Sequence, residues 1–120
     1  MAKPDKCITP QDAKQLFTHW SNTRGEALRN HLGEEDTCEF TLSISELRQY
    51  LDYVESESKD RGISNPGVRL YFGAYNTTKS DKTTFFIAPT TGDDKDAENN
   101  YEIDPMNSQS GGWPPKQYNP

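Results

Sequence analysis

Arg69, Tyr71 and Tyr75 fall at alternate positions of the segment Val68-Arg69-Leu70-Tyr71-Phe72-Gly73-Ala74-Tyr75. In a strand, where side chains alternate, these residues share one face, with Gly73 leaving a gap between the two tyrosines. Val68, Leu70, Phe72 and Ala74 then form an apolar opposite face. An arginine flanked by tyrosines is suited to recognition: the guanidinium donates to carboxylates or carbonyls, and the phenols supply flat contact area and a hydroxyl. Both types are enriched among the residues that carry binding energy at interfaces. Trp113, near the C-terminus, is an aromatic able to join such a face. Arg69, Tyr71, Tyr75 and Trp113 are therefore the expected partner- or ligand-binding residues.

Other reactive side chains form weaker patterns. His31, Glu34, Glu35, Asp36 and Cys38 lie within eight residues, but zinc sites need paired ligands at spacings such as C-x2-C or H-x3-5-H, and no second pair exists. An acidic loop after a helix is the expected state. Asp94, Asp96 and Glu98 have the alternation of a calcium loop, but the positions that require Gly and Glu hold Asn99 and Pro105. Cys7 and Cys38 are expected to be free, mostly buried thiols, for a chain kept in a reducing compartment. His19 and His31 are the only candidate bases near neutral pH. No nucleophile elbow, glycine-rich phosphate loop or framed acid pair accompanies them. No catalytic residue, metal or cofactor is expected.

The 120 residues carry nineteen acids against thirteen Lys and Arg, a net charge of −6, with a mean hydropathy of −1.01. This balance argues against a basic nucleic-acid binder. No apolar run is long enough for a membrane span, and the first residues have no apolar core of a secretory signal. A cytoplasmic location is the expectation. Six acids and one lysine lie between Asp93 and Asp104, so most of the net charge belongs to one segment. The sequence therefore predicts an α+β domain over residues 1–91 and an acidic tail over 92–120, flexible or docking. The tail still holds Tyr101, Ile103, Met106, Trp113 and Tyr118, which are unfavourable to leave in water. Its acids Glu102 and Asp104 are the expected partners of Arg69.

The elements that must position these residues are legible. Thr9-Pro10-Gln11-Asp12 is a helix start, and Ala13, Leu16, Phe17, Trp20, Ala27, Leu28 and Leu32 follow at helical spacing, interrupted on the same stripe by Arg24. One helix over residues 10–31 is predicted, with Gly33 as its C-cap. Glu39–Ile44 alternates like a short strand or an extended lead-in to the next helix. Ser43 and Glu46 form a capping box for a second helix over residues 44–61, which Gly62 ends. Val68–Tyr75 and Thr83–Ala88 read as strands joined by a polar hairpin loop. The fold class is α+β, with two helices packed on one face of a small antiparallel sheet. Leu16, Phe17, Trp20, Leu28, Leu47, Leu51, Val54, Leu70, Phe72 and Phe85 or Phe86 are the expected core.

The strand pair "VRLYFGAY … FFIAPT" and the helix "SISELRQYLDYVESESKDRG" before it resemble a small uncharacterised family of Bacteroidetes-type bacterial proteins. The likeness covers residues 9–90. It implies an intracellular bacterial protein with a single α+β domain, and it supplies no activity. The residues themselves favour a protein-interaction module with an unidentified protein partner, binding through the Arg/Tyr face and the acidic aromatic tail. A small-molecule-binding protein or minor enzyme, with its pocket between that face and the tail, is the alternative. A third reading has the acidic run facing a basic surface. Neither nucleic acid nor membrane is an expected partner.

Overall fold

The structure, a computed structural model, describes all residues 1–120. It contains helices and a two-stranded antiparallel sheet, an α+β arrangement. The chain groups into two compact units, residues 1–39 with 112–120 and residues 40–111. The boundary expected after residue 91 falls inside the second unit.

In the first unit, helix α1 (Pro10–Trp20) starts where the Thr9 hydroxyl accepts the Asp12 N–H at 3.1 Å. A single π-helical turn, Ser21–Gly25, leads directly into α2 (Glu26–Leu32), which ends at Gly33 with φ +78°. The expected single helix is thus a helix with a wide turn in its middle. The wide turn resolves the interruption at Arg24. A π turn advances the stripe by about five residues instead of four, so Gly25 follows Trp20 and Arg24 rotates out to solvent. Gly25 is buried, and a Cβ there would meet Trp20 Cζ3 at 3.2 Å. Thr23 Oγ1 donates to the His19 carbonyl at 2.6 Å. At the end of the unit, Gly112 N–H donates to the Glu39 carbonyl at 3.1 Å.

The expected core role of this helix is not realised. No residue of α1 or α2 is buried. Phe17, Trp20 and Leu28 are half-buried, and Leu16 is 68 % exposed.

In the second unit, α3 (Ile44–Asp60) starts where the Ser43 hydroxyl accepts the Glu46 N–H at 2.9 Å. Its end is a Schellman motif: Ile63 N–H reaches the Ser58 carbonyl at 2.9 Å and Gly62 N–H the Lys59 carbonyl at 3.0 Å. Gly62 takes φ +76°, a conformation that costs glycine nothing. Strands β1 (Gly67–Ala74) and β2 (Thr83–Thr90) pair without a bulge, Gly67 opposite Thr90 and Ala74 opposite Thr83. The expected short strand at 39–44 is replaced by one isolated bridge between Phe40 and Gly111. A lone bridge forms because the chain turns into α3 directly afterwards.

The core of this unit consists of Tyr50 and Val54 from α3, Phe85 and Ile87 from β2, and Ile103 from the segment after β2. That segment is held to β2 by backbone bonds. Ile87 and Met106 exchange both N–H to carbonyl bonds, at 2.9 and 3.0 Å, and Asn100 N–H donates to the Pro89 carbonyl at 2.9 Å. β2 therefore lies inside and β1 forms the outer edge. This corrects the expected core: Leu70 is 66 % exposed and Phe72 84 %. They lie on the same sheet face as Ile87 and Phe85, their register partners, but the core has formed around β2. Val54 and Phe85 are buried as expected.

This packing sets a contrast in stability. Ile103 is 1 % exposed, so Ile103→Ala is expected to cost about 2–5 kcal/mol through lost transfer energy and a cavity. Leu16→Ala is expected to change stability by no more than about 0.5 kcal/mol. Urea melts of the two variants check this; a neutral Ile103→Ala would detach the 99–106 segment from the core.

Candidate functional site

The hairpin presents two faces, and the segment after β2 treats them differently. On one face stand Arg69, Tyr71 and Gly73 of β1 beside Ala88, Phe86 and Thr84 of β2. The chain turns back after β2 and runs over this face, with Thr90 and Asn99 forming a bridge and Thr91 N–H donating to the Glu98 carbonyl at 2.9 Å. The Arg69 guanidinium donates to Asn99 Oδ1 at 2.7 Å, to the Ala97 carbonyl at 2.9 Å and to the Lys95 carbonyl at 3.2 Å. The other end of the Asn99 amide donates to the Tyr71 hydroxyl at 2.8 Å. The Tyr71 ring stacks on Phe86, with centroids 5.2 Å apart. Tyr75 accepts from Thr84 Oγ1 at 3.3 Å, and its hydroxyl donates to Asn107 Oδ1 at 3.4 Å.

Arg69, Tyr71 and Tyr75 are thus brought together, and each has partners within the chain. The expected carboxylate on Arg69 is absent from this network. Glu102 instead pairs with Arg61 at 3.4 Å, and Asp104 offers its backbone carbonyl to Tyr50 at 2.9 Å. The physical reason is that the bridging residue must accept from arginine and donate to a phenol at once, which an amide does and an ionised carboxylate does not. Trp113 belongs to the other unit, where its indole N–H donates to the Glu35 carbonyl at 2.9 Å.

Some of the remaining reactive side chains make local contacts. Asp36 and Thr37 are buried, and Thr37 N–H donates to Asp36 Oδ1 at 2.8 Å. Cys7 and Cys38 are free thiols, but the expected burial is not realised: Cys7 is exposed and Cys38 only half-buried. Burial raises the Cys38 thiol above its ordinary pKa, and Glu39, Glu35 and Asp36 raise it further. A thiol held neutral in this way is a poor nucleophile and a poor metal ligand. The Asp94 carboxylate accepts the Asp96 N–H at 2.9 Å, a turn motif. No three His, Cys, Asp or Glu side chains gather as a metal site, and no helix is long and apolar enough to cross a membrane.

The opposite face of the hairpin is open. Val68, Leu70 and Phe72 of β1, with Tyr71 between them, form one wall of a groove of about 470 Å³, whose other linings are Leu47 and Leu51 of α3, Phe40 and Leu42 ahead of it, and Phe85 and Ile87 of β2. Beside it runs the outer edge of β1. In an antiparallel ladder, backbone groups point alternately to one neighbour and the other. Tyr75 N–H bonds to the Lys82 carbonyl at 3.1 Å, which fixes the phase: residues 69, 71 and 73 face β2. Val68, Leu70 and Phe72 therefore present their N–H and C=O groups to the free edge, where no strand pairs with them. The same three residues carry the exposed apolar side chains. Sequence reasoning placed them on one face but assigned that face to the core; no local signal marks a half-covered sheet.

Family models, curated proteins and solved structures give no match to this chain.

Two tyrosines report on this architecture. Burial pushes the Tyr50 phenol up to about 12, with Tyr53 and Asp104 acting in the same direction. Its proton is held between the Asp104 and Ile87 carbonyls, at 2.9 and 3.2 Å. The folded pKa lies above the unfolded one, so the stabilisation is intact below about pH 10 and is lost as pH rises toward about 12. Urea melts across that interval are expected to show a steeper alkaline loss for wild type than for Tyr50→Phe. Tyr71 titrates below its ordinary value, chiefly because the Asn99 amide donates to it, with Arg69 acting in the same direction. Asn99→Ala is expected to raise the Tyr71 pKa, read from its ring carbon shift by NMR; an unmoved titration would remove Asn99 from that role.

Proposed function

We propose that the chain is a protein-interaction module that receives an extended partner segment along β1. One observation carries this reading: Val68, Leu70 and Phe72 expose both their apolar side chains and their unpaired backbone groups on the same edge. Strand addition uses that combination, with main-chain hydrogen bonds supplying affinity and pockets for alternate side chains supplying specificity. The Arg69/Tyr71/Tyr75 face supports the reading less well as a binding surface, because a partner there must first displace residues 95–107 from their hydrogen bonds. A small-molecule site between that face and the tail has the same difficulty, since the tail already occupies the space. The groove on the other side lacks the few convergent polar groups that orient a small ligand. Action inside a bacterial cell, implied by the strand-pair resemblance, belongs to the same proposal.

The test is a titration of the full chain with an extended peptide of alternating apolar and polar residues, against a scrambled control, followed by amide NMR. The amides of Val68, Leu70 and Phe72 are expected to shift and to become protected from exchange. Phe72→Asp is expected to abolish the shifts with an unchanged melt. Shifts confined to Arg69, Tyr71 and Asn99 would move the binding site to the other face.

A further inference from the structure

We infer that the strand received by the β1 edge is β1 of a second copy of this chain, so that two hairpins join into one four-stranded antiparallel sheet. This rests on the reading of β1 as a docking edge and names its occupant.

The edge carries none of the features that keep exposed strands apart. Between Gly67 and Ala74 there is no lysine, proline or bulge, and the one charge, Arg69, points to the other face and is bound there by Asn99. The occupant must be extended and apolar at every second residue on the groove side. β1 itself meets this requirement. An antiparallel pairing centred on Leu70 sets Leu70 against Leu70 of the second copy and Val68 against Phe72. All six side chains then fall on the shared apolar face, and the outward N–H and C=O groups of each residue find partners. Arg69 falls opposite Tyr71, a cation beside a ring. A register centred on Arg69 would set two guanidinium groups against each other and is disfavoured.

Charge at the strand ends agrees with the antiparallel sense. The loop that follows β1 carries Lys79 and Lys82 against Asp81. At the start of β1 the acidic segment lies close, a Cβ on Gly67 reaching Asp93 Cα at 3.2 Å. Antiparallel pairing brings the basic loop of one copy beside the acidic start of the other; parallel pairing would set acid beside acid. The chain has a net charge of −6, yet residues 67–90 hold three bases and one acid, so the strand pair does not share the acidity of the chain as a whole.

The area is sufficient for a modest dimer. A phenylalanine offers about 150–250 Å², and Phe72 is 84 % exposed. With Leu70, Val68, the half-buried Leu47 and Leu51 and the strand edges, each copy approaches the lower part of the class that buries roughly 600–1,000 Å² per partner. A two-stranded sheet is also marginal alone, and four strands with a shared apolar face are not.

Sedimentation equilibrium of the full chain over a concentration series is the test. Wild type is expected to dimerise in the micromolar range. Phe72→Asp is expected to weaken association at least tenfold, with a melting temperature equal to that of wild type at concentrations too low for either to dimerise. Leu70→Pro removes an outward N–H together with the leucine side chain while leaving the β1–β2 bonds in place, and should do the same, keeping the result interpretable if one variant folds poorly. A wild type that stays monomeric at several hundred micromolar overturns the second-copy assignment. If the extended peptide still binds Val68, Leu70 and Phe72 in that case, the docking-edge reading survives; if neither associates, both fail.

Discussion

The antiparallel exchange of backbone bonds between Ile87 and Met106 is the contact on which the larger unit depends. It gives β2 a neighbour on each side, β1 on one and the returning chain on the other. An apolar core gathers where most surface can be covered at once. That place is under β2, where Tyr50 and Val54 from the helix meet Phe85, Ile87 and Ile103. Once the core is centred there, one helix has too little width to shield the whole hairpin. The apolar half of β1 is left uncovered as a consequence of that centring.

The acidic segment divides its labour by residue type. Its carboxylates lie in the turns: Asp94 closes one on Asp96, and Lys95 pairs with Asp96 at 3.1 Å. Its contacts with the hairpin use groups without net charge, the Asn99 amide, the Asn100 N–H and the carbonyls of Lys95 and Ala97. Burying a carboxylate beside two phenols would carry a desolvation cost that an amide avoids. A composition that predicts disorder thus includes a few residues, Asn99, Ile103 and Met106, that suffice to hold the segment in place. Net charge describes the solvated surface of such a segment and says little about the side that is bound.

What was legible in the sequence is what local rules govern. Thr9 and Ser43 cap their helices, Gly62 ends one, and alternation sorts β1 into its two faces, each as read from a few adjacent residues. The departures all depend on partners distant in sequence. Nothing near Leu70 or Phe72 shows that the core will form under the neighbouring strand. Nothing in the acidic run marks Asn99 as the partner of an arginine thirty residues earlier. The convergence of Arg69, Tyr71 and Tyr75 was legible because a period of two fixes it, and the tail was the expected source of a partner for Arg69; that the partner would be the Asn99 amide and not a carboxylate was not.

The wide turn at Ser21–Gly25 can also be considered in terms of chain length. Measured from Trp20, Gly25 lies five residues along, one more than a regular helical turn, and the wide turn absorbs that excess. Shortened by one residue there, the chain would hold the same two residues in phase as an uninterrupted α-helix. The wide turn therefore accommodates one residue more than an α-helical turn, where Gly25 lies against the indole and the Thr23 hydroxyl donates to the His19 carbonyl. Elements that store an extra residue in this way leave their flanking turns unchanged, so Thr9 still begins the helix and Gly33 still ends it.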